Sequence, residues 1–162
     1  MPLTELKKKI NKEKTRNFLK PFENFTLIAE IKKASPSEGV IDEKAKIKEI
    51  AKQYEAGGAG IISVLTDKNF FHGDINFLQK TKKAVSLPVL RKDFIIDEYQ
   101  IYESKAYGAD AILLIAAALS TKKLERFVDL SHNLGMECLV EIHDEKELNR
   151  ILKLKEKIRI IG

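Results

Sequence analysis

YEAGGAGIISVLT (54–66) and AYGADAILLIA (106–116) share one layout: the end of a helix, a few small residues, then a short apolar run. A run this continuous, without polar alternation, is what a strand buried on both faces of a parallel sheet requires. These two give strands at 60–66 and 109–116, and similar runs lie outward from them at 26–32, 87–92, 136–142 and 158–161. Between the runs the apolar spacing lengthens to a helical period over 44–56, 75–85, 98–107, 121–134 and 145–154. Asp74, Asp97, Ser120 and Asp144 stand where N-caps belong, and Gly57, Gly108 and Gly135 where helices should stop. Strand followed by helix at short spacing predicts a parallel α/β sheet, either doubly wound or closed as a barrel. No GxGxxG follows the first strand and no P-loop occurs, which disfavours the nucleotide-binding, doubly wound form.

Composition bounds the chain without naming a chemistry. At 162 residues, 44% apolar and 33% charged, it reads as one folded unit rather than a disordered segment. The longest apolar stretch, AILLIAAAL (111–119), is too short to cross a bilayer, so no membrane association is expected. The N-terminal lysines precede no apolar segment with a cleavage site, which argues against a secretory leader. A single cysteine, Cys138, excludes an intramolecular disulfide, suits a reducing cytoplasm and reads as an inert core thiol. The net charge of +5 could suggest nucleic acid, but lysines alternate with glutamates and the one dense basic run, Lys7 to Lys9, has no interleaved aromatics. A solvated surface and a small anionic partner fit better. Three histidines without ligand spacing and no Cys/His cluster predict no metal. Leu3, Leu6 and Ile10, followed by Phe18, Leu19, Phe22 and Phe25, predict a short helical extension over 1–25 that packs on a unit of 26–162. A final strand at 158–161 would leave an open sheet edge able to self-associate.

The chemistry concentrates at strand ends. In TLIAEIK (26–32) side chains alternate, so Ile28, Glu30 and Lys32 share one face and Leu27, Ala29 and Ile31 the other. The apolar trio suits contact with helices, which turns Glu30 and Lys32 toward the interior. Ionisable groups there are costly unless paired or used, and a self-satisfying Glu30–Lys32 ion pair is the plain alternative. The third strand, LPVLRKDF (87–94), gives Lys92 the parity of Leu90 and Phe94, assigned inward, leaving Arg91 to face helices beside a carboxylate. The fifth, ECLVEIHD (137–144), ends with Glu141, in parity with Leu139 and His143. Alternate strands of a barrel feed one interior layer, so Glu30, Lys32, Lys92 and Glu141 are expected to converge on one cavity. Phe70 and Phe71 read equally as loop core or as a ring wall. His143 reads as a solvated loop residue before a catalytic one, and His72 and His132 have no evident partner.

Together these stretches resemble the indole-3-glycerol phosphate synthase family. IAEIKKASPSEG (28–39), ISVLTDKNFFHGD (62–74), LPVLRKDFIID (87–97), GADAILLIAAAL (108–119) and GMECLVEIHD (135–144) follow its motifs in order and spacing. The resemblance implies a (β/α)8 TIM barrel, incomplete here at about strands 1 to 6. It implies conversion of carboxyphenylamino-deoxyribulose phosphate to indole-3-glycerol phosphate, carbon dioxide and water, without a cofactor. By motif position, Lys92 resembles the general acid of ring closure, Glu141 its acid/base partner in dehydration, and Glu30 a group assisting proton transfer. Lys32 would hold anionic groups, Ser35 the substrate carboxylate, and Phe71 and Phe94 the anthranilate ring. The family's Glu-Ser-Gly and Gly-Ser motifs fall beyond Gly162, so the resemblance implies that most of the phosphate grip is missing and that the isolated chain is inactive or nearly so. Two alternatives stay open: another phosphate-binding barrel such as phosphoribosylanthranilate isomerase, and a non-catalytic partial barrel that self-assembles or needs a complementing C-terminal piece.

Overall fold

A computed structural model describes residues 1–10, 14–35, 39–40 and 46–162, without the side chains of Ser35 and Val40. In chain order its strands are β1 (Ile28–Ile31), β2 (Ala34–Ser35), β3 (Gly39–Val40), β4 (Ile61–Leu65), β5 (Val89–Lys92), β6 (Ala111–Ile115), β7 (Glu137–Glu141) and β8 (Ile160–Ile161). Its helices are α1 (Leu3–Ile10), α2 (Ile47–Ala56), α3 (Lys68–Phe71), α4 (Asn76–Ala84), α5 (Glu98–Ala106), α6 (Thr121–Asn133) and α7 (Glu145–Ile151). The six apolar runs become one parallel sheet ordered β1-β4-β5-β6-β7-β8, and β2 and β3 pair antiparallel beside it. Each strand neighbours the next in sequence, with a helix returning between them, which is the winding of a (β/α) barrel short of closure.

Strand parity splits the core in two. Ile31, Ile62, Val64, Val89, Ile112, Leu114, Cys138 and Val140 face the helices in one large cluster. On the concave side, Ile61, Leu90 and Ala111 pack with Phe18, bordered by Ile28, Leu139 and Ile160. Arg91 lies on the helix side, hydrogen-bonded to Asp93 at 2.9 Å and Glu103 at 2.9 Å, as parity required.

Four of the six strands are shorter at both ends than the apolar runs suggested, and β5 and β8 only at their starts, because a flanking residue without a ladder partner is not strand. The first helical run is described only from Ile47 onward; residues 41–45 lie outside the described set. Asp97, Ser120 and Asp144 cap their helices, and Asp97 completes a capping box with Gln100. Asp74 accepts from the Asn76 amide at 2.7 Å, one residue ahead of the assigned cap of α4. Gly57 ends α2 with an ordinary φ of −78°, and it is Gly58 that takes the left-handed turn at φ +89°.

The N-terminal segment divides its work. α1 packs on α5 through the fully buried Leu6, with the Lys9 ammonium 3.5 Å from the Tyr107 ring centroid. Phe18 does not continue that stripe. It plugs the N-terminal end of the half-barrel at 1% exposure, while Phe25 is 99% exposed. Behind Phe18, Asp110 accepts the Arg16 amide at 2.6 Å, the Val89 amide at 2.9 Å and the Lys82 ammonium. The Arg16 guanidinium donates to the carbonyls of Leu87 and Lys82 at 2.7 and 2.8 Å. Residues far apart in sequence thereby tie the floor shut. No helix among the described residues is long and apolar enough to cross a membrane.

Candidate active site at the C-terminal mouth

Glu30, Lys92 and Glu141 sit at the C-terminal ends of β1, β5 and β7, the first, third and fifth strands of the main sheet. The register sets Glu30 beside Ser63, Leu65 beside Lys92, and Ile115 beside Glu141. Lys92 therefore reaches back across β4 to touch β1, and its Nζ donates to Glu30 Oε2 at 2.8 Å. Ser63, the small residue on the strand between, leaves room for that crossing. Side-chain exposure of 39% for Lys92 and 30% for Glu30 makes this a screened pair, contributing no more than about 1 kcal/mol.

Two adjoining clefts meet at Lys92, Leu113 and Glu141. The upper, of about 200 Å³, is walled by Leu65, Phe71, Phe94, Leu113 and Ile115, with Asp67, Asp93, Lys92 and Glu141 as its polar groups. The inner, of about 230 Å³, adds Ile28, Glu30, Ser63, Leu90 and Leu139. Lys92 and the carboxylates of Glu30 and Glu141 thus border a mostly apolar slot suited to a flat ring. Such a set can protonate a carbonyl oxygen and move a proton on or off a carbon beside it.

Lys32 is half-buried just past the end of β1 and lines neither cleft. Ser35 has its backbone in β2, but its side chain lies outside the described residues. His143 is exposed, yet its Nε2 is 3.3 Å from Glu141 Oε1 and its Nδ1 3.8 Å from Glu147. His132 does have a partner, Glu137, at 3.5 Å.

The segment after β4, read from sequence as a loop, contains α3. Asp67 caps it by accepting the Phe70 amide at 2.7 Å, and the chain then turns back so that the Gly73 amide donates to Asp67 O at 2.7 Å. A Cβ on Gly73 would lie 2.6 Å from Leu65 O and 2.7 Å from Asp67 O, so only glycine permits this return. The turn presents Phe71 to the cleft and sets the Phe70 ring edge-on to Phe94, centroids 6.3 Å apart. Sequence reasoning missed Ser63, although its parity with Ile61 and Leu65 marked it as inward. The Ser63 hydroxyl is buried with no hydrogen-bond partner among the described residues.

A family model described as indole-3-glycerol phosphate synthase matches residues 1–162. The enzyme of that name from Neisseria meningitidis serogroup C is 57% identical over 128 residues, covering 79% of this chain and 49% of the relative. The Campylobacter hominis enzyme is 56% identical over 128 residues, with the same coverage, and that of Endomicrobium trichonymphae is 56% identical over 131 residues, covering 81% and 51%. The chain spans about half the length of these curated relatives. Among solved structures, tryptophan synthase subunit alpha from Legionella pneumophila superposes with a TM-score of 0.58 at 14% identity, covering 97% of this chain and 77% of that one. A mandelate oxidase gives 0.53 at 15% identity, covering 71% and 44%. These two likenesses speak to the fold alone.

Proposed function

The chain belongs to the indole-3-glycerol phosphate synthase family, and from that premise we propose that it carries the proton-transfer half of a synthase site. The observation that supports this most is the Lys92–Glu30 contact of 2.8 Å beside a cleft that Glu141 also lines. In this reading the anthranilate ring of carboxyphenylamino-deoxyribulose phosphate lies between Phe71 and Phe94. Lys92 protonates the ribulose carbonyl oxygen as the new carbon–carbon bond forms, and carbon dioxide leaves. Glu141 then serves as acid/base in the loss of water that yields indole-3-glycerol phosphate, while Glu30 relays a proton to Lys92. Lys32 and Ser35 hold the substrate's anionic groups. Residues 1–25 form a helical extension to the unit 26–162, and the single buried Cys138 supports a cytoplasmic setting.

The test is to incubate the purified chain with the carboxyphenylamino substrate and follow indole fluorescence, with and without a separately produced C-terminal third from a relative. The chain alone is expected to give little or no product, because the family's phosphate grip lies on later strands. The complemented chain is expected to turn over, and Lys92→Ala to lower its rate by about 10²–10⁴. Equal rates for the complemented parent and Lys92→Ala would remove Lys92 from the reaction.

A second reading, self-association, rests on the two sheet edges, β1 and β8, whose outer backbone groups have no neighbouring strand among the described residues. Sizing that stays monomeric across a wide concentration range would rule it out.

A further inference from the structure

Immediately after Lys92, a residue that borders the upper cleft but whose carboxylate bonds back to Arg91 takes part in no step of that reading. Asp93 is 9% exposed, and both of its oxygens are engaged. Oδ1 accepts the Phe94 amide at 2.8 Å. Oδ2 accepts the Thr66 hydroxyl at 2.5 Å and Arg91 Nη2 at 2.9 Å. Arg91 Nε donates to Thr66 Oγ1 at 3.0 Å and to Asp93 Oδ2 at 3.3 Å, and Nη1 to Glu103 at 2.9 Å, Ser104 Oγ at 3.1 Å and the Gln100 carbonyl at 3.1 Å, so the guanidinium is itself fixed.

The ladder of β5 ends at Lys92, and beyond it side chains take over. The Gln100 amide donates to the Phe94 carbonyl at 2.9 Å and accepts the amides of Ile96 and Asp97 at 2.8 and 3.0 Å. Both peptide groups of Phe94 are thereby held by side chains, Asp93 on one side and Gln100 on the other. Thr66 also donates its backbone amide to the Lys92 carbonyl at 3.1 Å. It stands immediately before Asp67, the cap that sets the turn carrying Phe71. One buried cluster therefore reaches three walls of the cleft.

We propose that Asp93 is a positioning residue for Lys92 and Phe94, locked to the preceding strand through Thr66. This rests on the proton-transfer reading for its purpose, since Lys92 is the group being aimed. A carboxylate that served packing alone would hold the fold as a whole. One that aims Lys92 would, when lost, free the end of β5 while leaving the distant floor intact.

That difference is measurable without turnover, so its outcome is independent of the synthase assay. The folded chain and its variants are treated with a trace of an amine-acetylating reagent, digested, and acetylation is quantified at Lys92 relative to Lys82, the half-buried lysine of the floor. In Asp93→Ala the Lys92/Lys82 ratio is expected to rise about twofold to fivefold, the range corresponding to release from a screened ion pair. Thr66→Val, which keeps the shape and drops the hydroxyl, should move the ratio the same way by less, and Thr66→Ser should return it to the parent value. If Asp93→Ala does not fold, Thr66→Val carries the measurement. A ratio unchanged in the folded variants overturns the proposal. So does a parallel rise at both lysines, which is the mark of a purely structural role.

Discussion

At the floor of the half-barrel Arg16, Lys82 and Asp110 are drawn together behind Phe18, whereas at the mouth Lys92, Glu30 and Glu141 stay half-exposed beside Phe71 and Phe94. The two ends use the same residue types under different rules. The floor charges have their bonds made by backbone amides and carbonyls from several elements, so their geometry is fixed and their charge is consumed. The mouth charges meet one another across a cleft and keep capacity for a guest. A parallel barrel divides its labour in this way because the strands' C-terminal ends open into loops, while their N-terminal ends can be sealed.

The sharpest way to break the comparison is to remove one charge from each end. Asp110→Ala leaves a buried ammonium and two amides without an acceptor, and urea unfolding is expected to show a loss of about 3–5 kcal/mol. Lys92→Met at the mouth should change the same quantity by less than about 1 kcal/mol. Equal losses would mean that the mouth serves stability as much as the floor does.

A gentler probe is Phe18→Leu, which thins the plug without opening it. The expected loss is at most about 1.5 kcal/mol, with no change in Lys92 acetylation. The smallest effect expected is one of pH. Burial holds the Lys82 ammonium below the ordinary lysine value of 10.5, against the opposing pull of its hydrogen bond to Asp110. Between that lowered value and 10.5 the unfolded chain binds more protons than the folded one, so stability should rise with pH across the window. Lys82→Met should flatten that rise in pH-resolved unfolding curves.

How far the sequence reached differs between the two ends as well. Parity along β1, β5 and β7 was enough to turn Glu30, Lys92 and Glu141 inward and Arg91 outward, because strand period is a strict local rule. The floor was opaque: nothing around Arg16 announces that it will grip Asp110, since that bond joins residues 94 positions apart. α3 was missed because four residues carry too little periodicity. Its existence depends on the Asp67 cap and on the collision a side chain at 73 would make, both facts of three dimensions. Ser63 was legible and overlooked, a hydroxyl between two apolar neighbours of the same parity. The family resemblance supplied roles that the alternation of faces alone does not carry.

Cys138 gives the molecule an internal clock. Its thiol is 2% exposed in the large cluster facing the helices, and burial pushes its pKa up to about 12. An alkylating reagent meets almost no thiolate while that cluster is closed, so the rate of alkylation reads how often β7 parts from its cover rather than how reactive sulfur is. With a single thiol in the chain, that rate needs no background correction, and every substitution at either end can be timed against it.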